Sequence, residues 1–196
     1  MTQLDYNKPY IKYPYDVITG QITACNYVKL ACKRFLSWFN REDMEFSYKN
    51  VEKAINFIEK LKHFKGQFSG KKFYLEPWQQ FFIAGIFGFY YTGTDERVIR
   101  HVILDCARKQ GKSAIASAIG LYIMICESEG QVEVLNVANT REQARILFDM
   151  AVNMAKKVDP KHKHLKPTIN KLKYSKNDSY FKVLASDSAT LDGYGA

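Results

Sequence analysis

The chain has 196 residues, of which 46% are hydrophobic and 25% charged, and it carries a formal net charge of +9. This composition excludes a disordered chain, and the longest apolar runs, residues 81–91 and 114–126, fall short of the roughly 20 residues that span a bilayer. The first ten residues also lack the apolar core of a signal peptide, so we expect a cytoplasmic protein that does not enter a membrane.

The first 70 residues predict an irregular arm followed by two helices. Residues 1–19 carry Pro9 and Pro14 and show no steady hydrophobic period, which favours an irregular arm. Apolar residues then recur at spacings of three and four in residues 21–39 and again in residues 51–61, as in amphipathic helices. We therefore predict an N-terminal arm and helical segment at residues 1–70, and a second domain at residues 71–196.

A third helix and a strand open the second domain. Pro77 suits the first turn of a helix, which the following apolar residues extend to about Tyr91. Gln79 lies in that first turn. Residues 98–104 (VIRHVIL) are apolar and β-branched, which predicts a strand.

Directly after this strand, residues 106–113 (CARKQGKS) end in the three residue types that a phosphate-binding loop requires. Gly111 lets backbone N–H groups approach phosphate oxygens, Lys112 reaches the outer phosphates, and the Ser113 hydroxyl holds Mg²⁺. The full pattern has glycine at position 106, where this chain has cysteine. Residues 113–126 predict a buried helix, so a strand, the loop and a helix follow in the required order. The alternative is a basic turn that caps a core helix.

The remainder of the chain continues the alternation of strands and helices. A buried strand is predicted at residues 132–137, a helix at 140–157, and a hairpin of strands at 168–174 and 180–184. Strand, helix, strand, helix is typical of an α/β fold with a parallel sheet flanked by helices.

Cysteine, histidine and lysine placement supports no metal site but does indicate a basic segment. The four cysteines form no CxxC pair, and we expect reduced, mostly buried thiols. His162 and His164 flank Lys163 in a segment better explained as a solvated loop than as metal ligands. Residues 156–182 hold nine lysines against two aspartates, a density that attracts a phosphate backbone or simply solvates a hairpin.

Four segments of the chain, in the same order, resemble the large subunit of the terminase that packages DNA into tailed bacteriophages. They are HFKGQFSGKKFYLEPWQQFFIAGIFGF (63–89), ARKQGKS (107–113), VANTREQARILFDMA (137–151) and LASDSATLDG (184–193). A Trp-Gln pair before an Arg-Lys-x-Gly-Lys-Ser loop is the most specific of these features. The resemblance implies a P-loop NTPase-like fold and the N-terminal, ATPase part of such a subunit.

The resemblance also implies residue roles. In this family a Walker A loop with arginine and lysine replaces the glycine-rich form. Arg108 is expected to face the γ-phosphate as an arginine finger within the chain, and Lys112 to bind the β and γ phosphates. The implied ATP-binding residues are Trp78, Gln79, Ala107, Arg108, Lys109, Gln110, Gly111, Lys112 and Ser113, with Arg108 and Lys112 as the catalytic pair and Ser113 as the Mg²⁺ ligand.

Each role has a simpler alternative. Gln79 resembles a glutamine that recognises adenine, with Trp78 packed beside it, but a glutamine in a first turn also caps its own helix. Trp78 is more often a core anchor than a base-stacking residue. Arg108 and Lys109 are also compatible with solvated loop positions.

ATP hydrolysis further requires an apolar strand that ends in an acidic pair. Asp105 follows the strand that already enters the loop, Asp149 falls in a helical pattern, and Asp95-Glu96 follows no strand. No acidic cluster of a two-metal nuclease occurs either. We therefore expect a fold that is incomplete at its C-terminus, truncated before the acidic strand, and a chain that binds ATP weakly without turning it over alone.

The family resemblance implies double-stranded DNA, the portal protein, the small terminase subunit and further copies of the chain as partners, in the cytoplasm of a bacterial host. Two alternatives stay open from the sequence. One is a fragment of a helicase-like ATPase, which shares the glutamine and the loop. The other is a non-catalytic basic module that docks on DNA or on a partner protein.

Overall fold

A computed structural model describes residues 3–63, 69–127 and 130–185. The chain divides into two compact units, Met1–Phe57 with Tyr74–Ile103, and Ile58–Phe73 with Leu104–Ala196. This division rests on backbone contacts and does not test the predicted functional boundary at residue 70, which stays a prediction. Within the described ranges, no helix is both long enough and apolar enough to cross a membrane.

The first unit is mostly helical. Its elements are α1 (Pro9–Ile18), α2 (Asn26–Ser37) with a 3₁₀ turn at Trp38–Asn40, β1 (Met44–Phe46), the start of α3 (Tyr48–Lys60), α4 (Pro77–Gly88) and β2 (Phe89–Tyr91). The two short strands pair antiparallel, with Phe46 opposite Phe89. The helices pack around this pair, and α1 contacts both α2 and α4.

Aromatic rings form the core of the first unit. Phe35 from α2 meets the Phe89 ring edge to face, with ring centroids 5.3 Å apart. Phe46 lies 4.8 Å from Phe89 and 4.7 Å from Phe39. Edge-to-face contacts add stabilisation beyond the area that the rings bury, so this cluster joins α2 to the strand pair.

The prediction of an irregular N-terminal arm is wrong, because α1 occupies Pro9–Ile18. Pro9 lies in the first turn, where its missing N–H has no intrahelical partner to lose. Pro14 removes one backbone hydrogen bond inside the helix. The burial of Tyr10, Ile11 and Val17, each at most 2% exposed, compensates for that loss.

The other helices of the first unit agree with the sequence, with shifted ends. The predicted helix at 21–39 begins later, at Asn26, and the helix predicted for residues 51–61 is α3. The third helix starts at Pro77 as predicted but ends at Gly88. Residues 89–91 leave it to pair with β1, since aromatic residues favour a strand where a partner is available.

The second unit combines a four-stranded sheet with two helices. Its elements are α5 (Lys112–Cys126), β3 (Glu133–Ala138), α6 (Arg141–Val158), β4 (Leu165–Pro167), β5 (Lys171–Tyr174) and β6 (Tyr180–Ala185). The strand order is β3-β6-β5-β4. The predicted helices and hairpin of this unit are confirmed, and β4 is an additional strand that the sequence did not indicate.

The fold is mixed α/β, but the predicted parallel sheet is not confirmed. Among the strands that the structure describes in this sheet, only β3 and β6 pair parallel, while β6 with β5 and β5 with β4 pair antiparallel. The reason is the hairpin. Once β6 lies beside β3, the short turn between β5 and β6 forces β5 to run back along it.

The predicted strand at residues 98–104 does not form. Val98 donates a backbone hydrogen bond to the Phe89 carbonyl at 3.0 Å, but in the described part of the chain no strand begins between β2 and α5. β-branched residues form a strand only where a neighbour accepts their backbone hydrogen bonds. Ile103 is 93% exposed, which is incompatible with the buried position that its apolar side chain predicted.

Two predictions of burial are also wrong. β3 was expected to be a buried strand, yet its residues are half-buried or exposed, and Val137 is 46% exposed. Of the four free cysteines only Cys32 is buried, and burial raises the pKa of its thiol to about 11. Cys25 is exposed, because it lies just before α2 rather than on that helix's inner face.

Helices α5 and α6 pack on one face of the sheet. The two layers approach closely at Gly120 of α5, where an added Cβ would overlap the Phe181 ring of β6. Phe181 also faces Phe148 of α6, with ring centroids 6.1 Å apart. Between the helices, the buried Ser117 hydroxyl donates to the Leu147 carbonyl at 2.9 Å. These contacts fix the position of α5 on the sheet.

One carboxylate organises the connection from α6 to β4. Asp159 accepts the backbone N–H groups of Lys163, His164 and Leu165 at 3.1, 2.7 and 2.9 Å. These bonds, first those from Leu165 and His164, hold the pKa of Asp159 at about 2. The side chain therefore sets where β4 starts.

The contact between Gly120 and Phe181 leads to a stability prediction. We expect Gly120→Ala to lower the free energy of unfolding by about 1–3 kcal/mol, the usual cost of overpacking a core. Chemical denaturation followed by circular dichroism measures the change.

Gly85→Ala is the matched control. Gly85 is also inside a helix, α4, but has no atom within 4 Å of the position that a Cβ would take. Alanine should therefore raise stability there by up to about 1 kcal/mol. Equal effects of the two substitutions would contradict the close packing at Gly120.

Candidate functional site

The loop before α5 contains two residues with a positive φ. Gly111 is the N-cap residue of α5, with φ of 82°, and Lys109 also has a positive φ, of 67°. Gly111 adopts this left-handed conformation without steric cost, whereas Lys109 does so with some strain. Alternation between right- and left-handed residues turns successive N–H groups toward one concave side of the loop.

The first turn of α5 leaves its N–H groups available. No side chain caps the helix, and the Gly111 carbonyl accepts the Ile115 N–H at 3.0 Å as the first intrahelical bond. The preceding N–H groups of this turn therefore have no helical acceptor. Together with the positive end of the helix dipole, they form a site that favours an anion.

Lys112 reaches back across the loop. Its ammonium Nζ donates a hydrogen bond to the Cys106 carbonyl, six residues earlier, and its side chain is half-buried. This contact places a positive charge beside the N–H groups of the helix start. A lysine held at that position is suited to bind a phosphate group, because it brings a full charge to the same anion.

The remaining loop residues are solvent-exposed. Ala107, Arg108, Lys109 and Gln110 are all exposed, and so is Ser113 in the first turn of α5. Exposure is compatible both with contacts to a nucleotide and with the solvated loop that was the alternative. The structure thus brings Lys109–Ser113 together as one loop and leaves the role of each side chain a proposal.

Trp78 and Gln79 lie in the other compact unit, at the start of α4. Gln79 is 8% exposed and forms a capping box with Glu76, in which its Oε1 accepts the Glu76 N–H at 3.0 Å. The alternative role proposed from the sequence, a helix cap, is therefore present. Trp78 is half-buried.

A cleft that the sequence did not indicate lies in the first unit. It has a volume of about 330 Å³ between α2, α4 and residues 99–103. Its walls include Phe35, Phe81 and Ile86, and Arg34 lies at its side with the guanidinium 5.3 Å from the Trp38 ring centroid. No periodicity could have found it, because residues 99–103 adopt no regular structure.

Two of the acidic residues rejected in the sequence search form ion pairs in the structure. Asp149 lies in α6 and pairs with Arg145, with 3.7 Å between the nearest oxygen and nitrogen atoms. Glu96 pairs with Arg100. Within residues 3–63, 69–127 and 130–185, no three His, Cys, Asp or Glu side chains gather as a metal site.

The carbonyl of Cys106 is the functional group that sequence reasoning missed. Cysteine at position 106 departs from the glycine of the usual pattern. Lys112, however, contacts the backbone oxygen of this residue. Any residue supplies that oxygen. The available signal was therefore the position of Cys106 as the first residue of the loop pattern, and not its residue type.

Comparison with known proteins identifies the family. A family model described as "Terminase large subunit, ATPase domain" matches residues 77–195, more than half of the chain. The chain belongs to this family. The matched region contains both the Trp78-Gln79 pair and the loop that ends in Lys112 and Ser113.

A sequence match and a structure match are both to the large terminase of one phage. The "Terminase, large subunit" of Enterobacteria phage HK97 is 31% identical over 147 residues, which cover 72% of this chain and 28% of that protein. The crystal structure of the HK97 bacteriophage large terminase matches 70% of this chain and 27% of its own, with 29% identity and a TM-score of 0.55. This terminase chain thus spans little more than a quarter of the length of its relative.

The capping box of this terminase chain leads to a prediction on Gln79. We expect Gln79→Ala to destabilise α4 by about 1 kcal/mol, because the Glu76 N–H loses its acceptor. Gln79→Glu is the matched variant, since glutamate at this position retains the capping box and favours the helix start. Thermal unfolding should rank Gln79→Glu at or above the unchanged chain and Gln79→Ala below it. Equal unfolding temperatures of the unchanged chain and both variants would show that the capping box does not stabilise α4.

Proposed function

We propose that the chain binds ATP with Mg²⁺ through residues 106–113, as the ATPase part of a large terminase subunit that powers DNA translocation into phage particles. The observation that carries the proposal is the uncapped start of α5, with left-handed Gly111 directly before Lys112. N–H groups without acceptors beside an ammonium group attract a polyphosphate. The family assignment makes a nucleotide the expected polyphosphate.

Lys112 and Arg108 have different proposed roles. Lys112 exchanges the Cys106 carbonyl for oxygens of the β and γ phosphates, which gives a stronger, charge-assisted bond. Arg108 faces the γ-phosphate from the exposed side of the loop and offsets the charge that develops there during hydrolysis. The backbone N–H groups of Lys109, Gln110 and Gly111 surround the phosphate chain.

Ser113 is the proposed ligand of Mg²⁺. Its hydroxyl is exposed and stands at the second position of α5, next to the N–H groups that would hold the phosphates. A hydroxyl oxygen is a ligand type that Mg²⁺ accepts together with phosphate oxygens and water. The ion would neutralise part of the charge of the phosphate oxygens.

Gln79 is the proposed adenine-recognising residue, with Trp78 beside it. Recognition by both ends of an amide needs its oxygen as well as its NH₂ group. The oxygen now accepts the Glu76 N–H, so adenine would have to replace that bond or use the NH₂ group alone. Because the amide oxygen already has this hydrogen bond, Gln79 supports the proposed nucleotide site less strongly than the loop does.

The proposed partners are those of a packaging motor. They are double-stranded DNA, the portal protein, the small terminase subunit and further copies of the chain, in the cytoplasm of the bacterial host. The family match supports a packaging motor over the helicase-like alternative. The chain matches 28% of the length of its relative, so the activity of the whole motor is part of this proposal.

We predict that Lys112→Ala lowers the affinity for a fluorescent ATP analogue by about ten- to a hundredfold, the effect of losing one charged hydrogen bond of roughly 1.5–3 kcal/mol. Ser113→Ala should behave differently. It should remove the gain in affinity that Mg²⁺ gives over EDTA, while leaving the Mg²⁺-free affinity within about twofold.

Lys176→Ala is the control for the loss of one positive charge. Lys176 is exposed in the turn between β5 and β6, away from the loop in sequence, and its loss should change the affinity less than twofold. If Lys112→Ala binds the analogue as tightly as the Lys176→Ala control, residues 106–113 are not the nucleotide site.

A further inference from the structure

Four lysines gather on one face of the second unit's sheet. Residues i and i+2 of a strand point to the same face, so Lys171 and Lys173 of β5 share one face and Leu172 points to the other. The register adds Lys166 of β4 opposite Lys173, and Lys182 of β6 opposite Lys171. We call this set, Lys166, Lys171, Lys173 and Lys182, the lysine face.

The lysine face lies opposite the helices. Leu172 and Phe181 are at most 1% exposed, and Phe181 contacts α5 and α6, so the other side of these strands is the packed side. Lys166 and Lys173 are exposed, and Lys171 and Lys182 are half-buried. The lysines therefore do not belong to the core that holds the helices.

The arrangement places like charges directly across two strand pairs. Opposite residues on neighbouring strands have Cβ atoms about 5 Å apart, and the two lysine pairs are two residues, or about 7 Å, apart along β5. Like charges at such positions destabilise a sheet. An anion bound across both pairs would relieve this repulsion.

Nearby groups offset part of this charge. Lys173 pairs with Asp178 at 2.7 Å, a contact in which both side chains are about half exposed or more. Lys171 lies with its ammonium 3.6 Å from the centre of the Tyr180 ring, which orients it without neutralising it. Glu133 is also on this face, opposite Tyr180 and two strands away from Lys173.

We propose that the lysine face binds the phosphate backbone of double-stranded DNA, and that it is a surface by which this chain contacts the DNA that the motor moves. This rests on the proposed function for the choice of DNA among polyanions. Lysines on a rigid sheet contact phosphates without reading base sequence, as a motor that moves any DNA requires. Asp159 supports the surface by fixing the start of β4, next to Lys166.

The test uses two double variants and their combination, Lys166→Gln/Lys173→Gln and Lys171→Gln/Lys182→Gln. Binding of a fluorescent 30-base-pair DNA is measured by anisotropy over a series of salt concentrations. Each lysine that contacts a phosphate adds about 0.9 to the slope of log Kobs against log salt. The magnitude of the slope should fall by about 1.8 in each double variant and by about 3.6 in the quadruple variant.

The control removes the same charge elsewhere in the second unit. Lys156→Gln/Lys157→Gln takes two exposed lysines from the end of α6, and the slope should change by less than 0.9. Thermal unfolding of each variant checks that it remains folded.

Two results would overturn the proposal. The first is an equal loss of slope in the control. The second is a lysine-face dependence seen with phosphatidylserine vesicles but not with DNA. Binding of the ATP analogue is measured on the same variants. If ATP binding persists while DNA binding ignores the lysine face, only this proposal fails, and the proposed nucleotide site stands.

Discussion

The contact between Gly120 and Phe181 sets how closely α5 lies to the sheet of the second unit. Because Gly120 has no side chain, α5 approaches the sheet closely enough to rest on the Phe181 ring of β6. The same helix begins at Lys112, so its distance from the sheet fixes the N–H groups that follow Gly111. β6 in turn carries Lys182 on its other side. The Phe181 ring, which contacts α5, and Lys182 of the lysine face therefore lie on opposite faces of the same strand, β6.

The two faces of this sheet have separate chemistry. One face is apolar and holds α5 and α6, with the loop at the start of α5. The other presents two cross-strand lysine pairs to solvent, partly compensated by Asp178. On the two proposals above, this sheet would lie between the bound nucleotide and the DNA. The antiparallel strands β4 and β5 hold three of the four lysines, Lys166, Lys171 and Lys173.

The sequence predicted the elements whose signals are local and failed where the outcome depends on distant partners. α5 and α6 have strong periodicity and were predicted almost to the residue, and the loop at Gly111 follows from three residue types. The strand at residues 98–104 failed because strand formation needs a neighbour that no local pattern reveals. Helix α1 was missed because Pro14 signals a break, although burial of its inner face outweighs one lost hydrogen bond. The lysine face could not be predicted at all, since the pairing of Lys171 with Lys182 depends on register. For the site, the sequence offered two roles for Gln79, and the structure contains the capping role.

Hydrogen exchange of the 196-residue chain with and without Mg-ATP tests the central claim most directly. If residues 106–113 surround the phosphates, amides of the peptide covering Lys109–Ser113 should exchange at least tenfold more slowly at saturating Mg-ATP, because their N–H groups become hydrogen-bonded. Peptides of β4 and β5 should not change. Unchanged exchange in Lys109–Ser113 at saturating Mg-ATP, or protection confined to β4 and β5, would contradict the assignment of this loop as the nucleotide site.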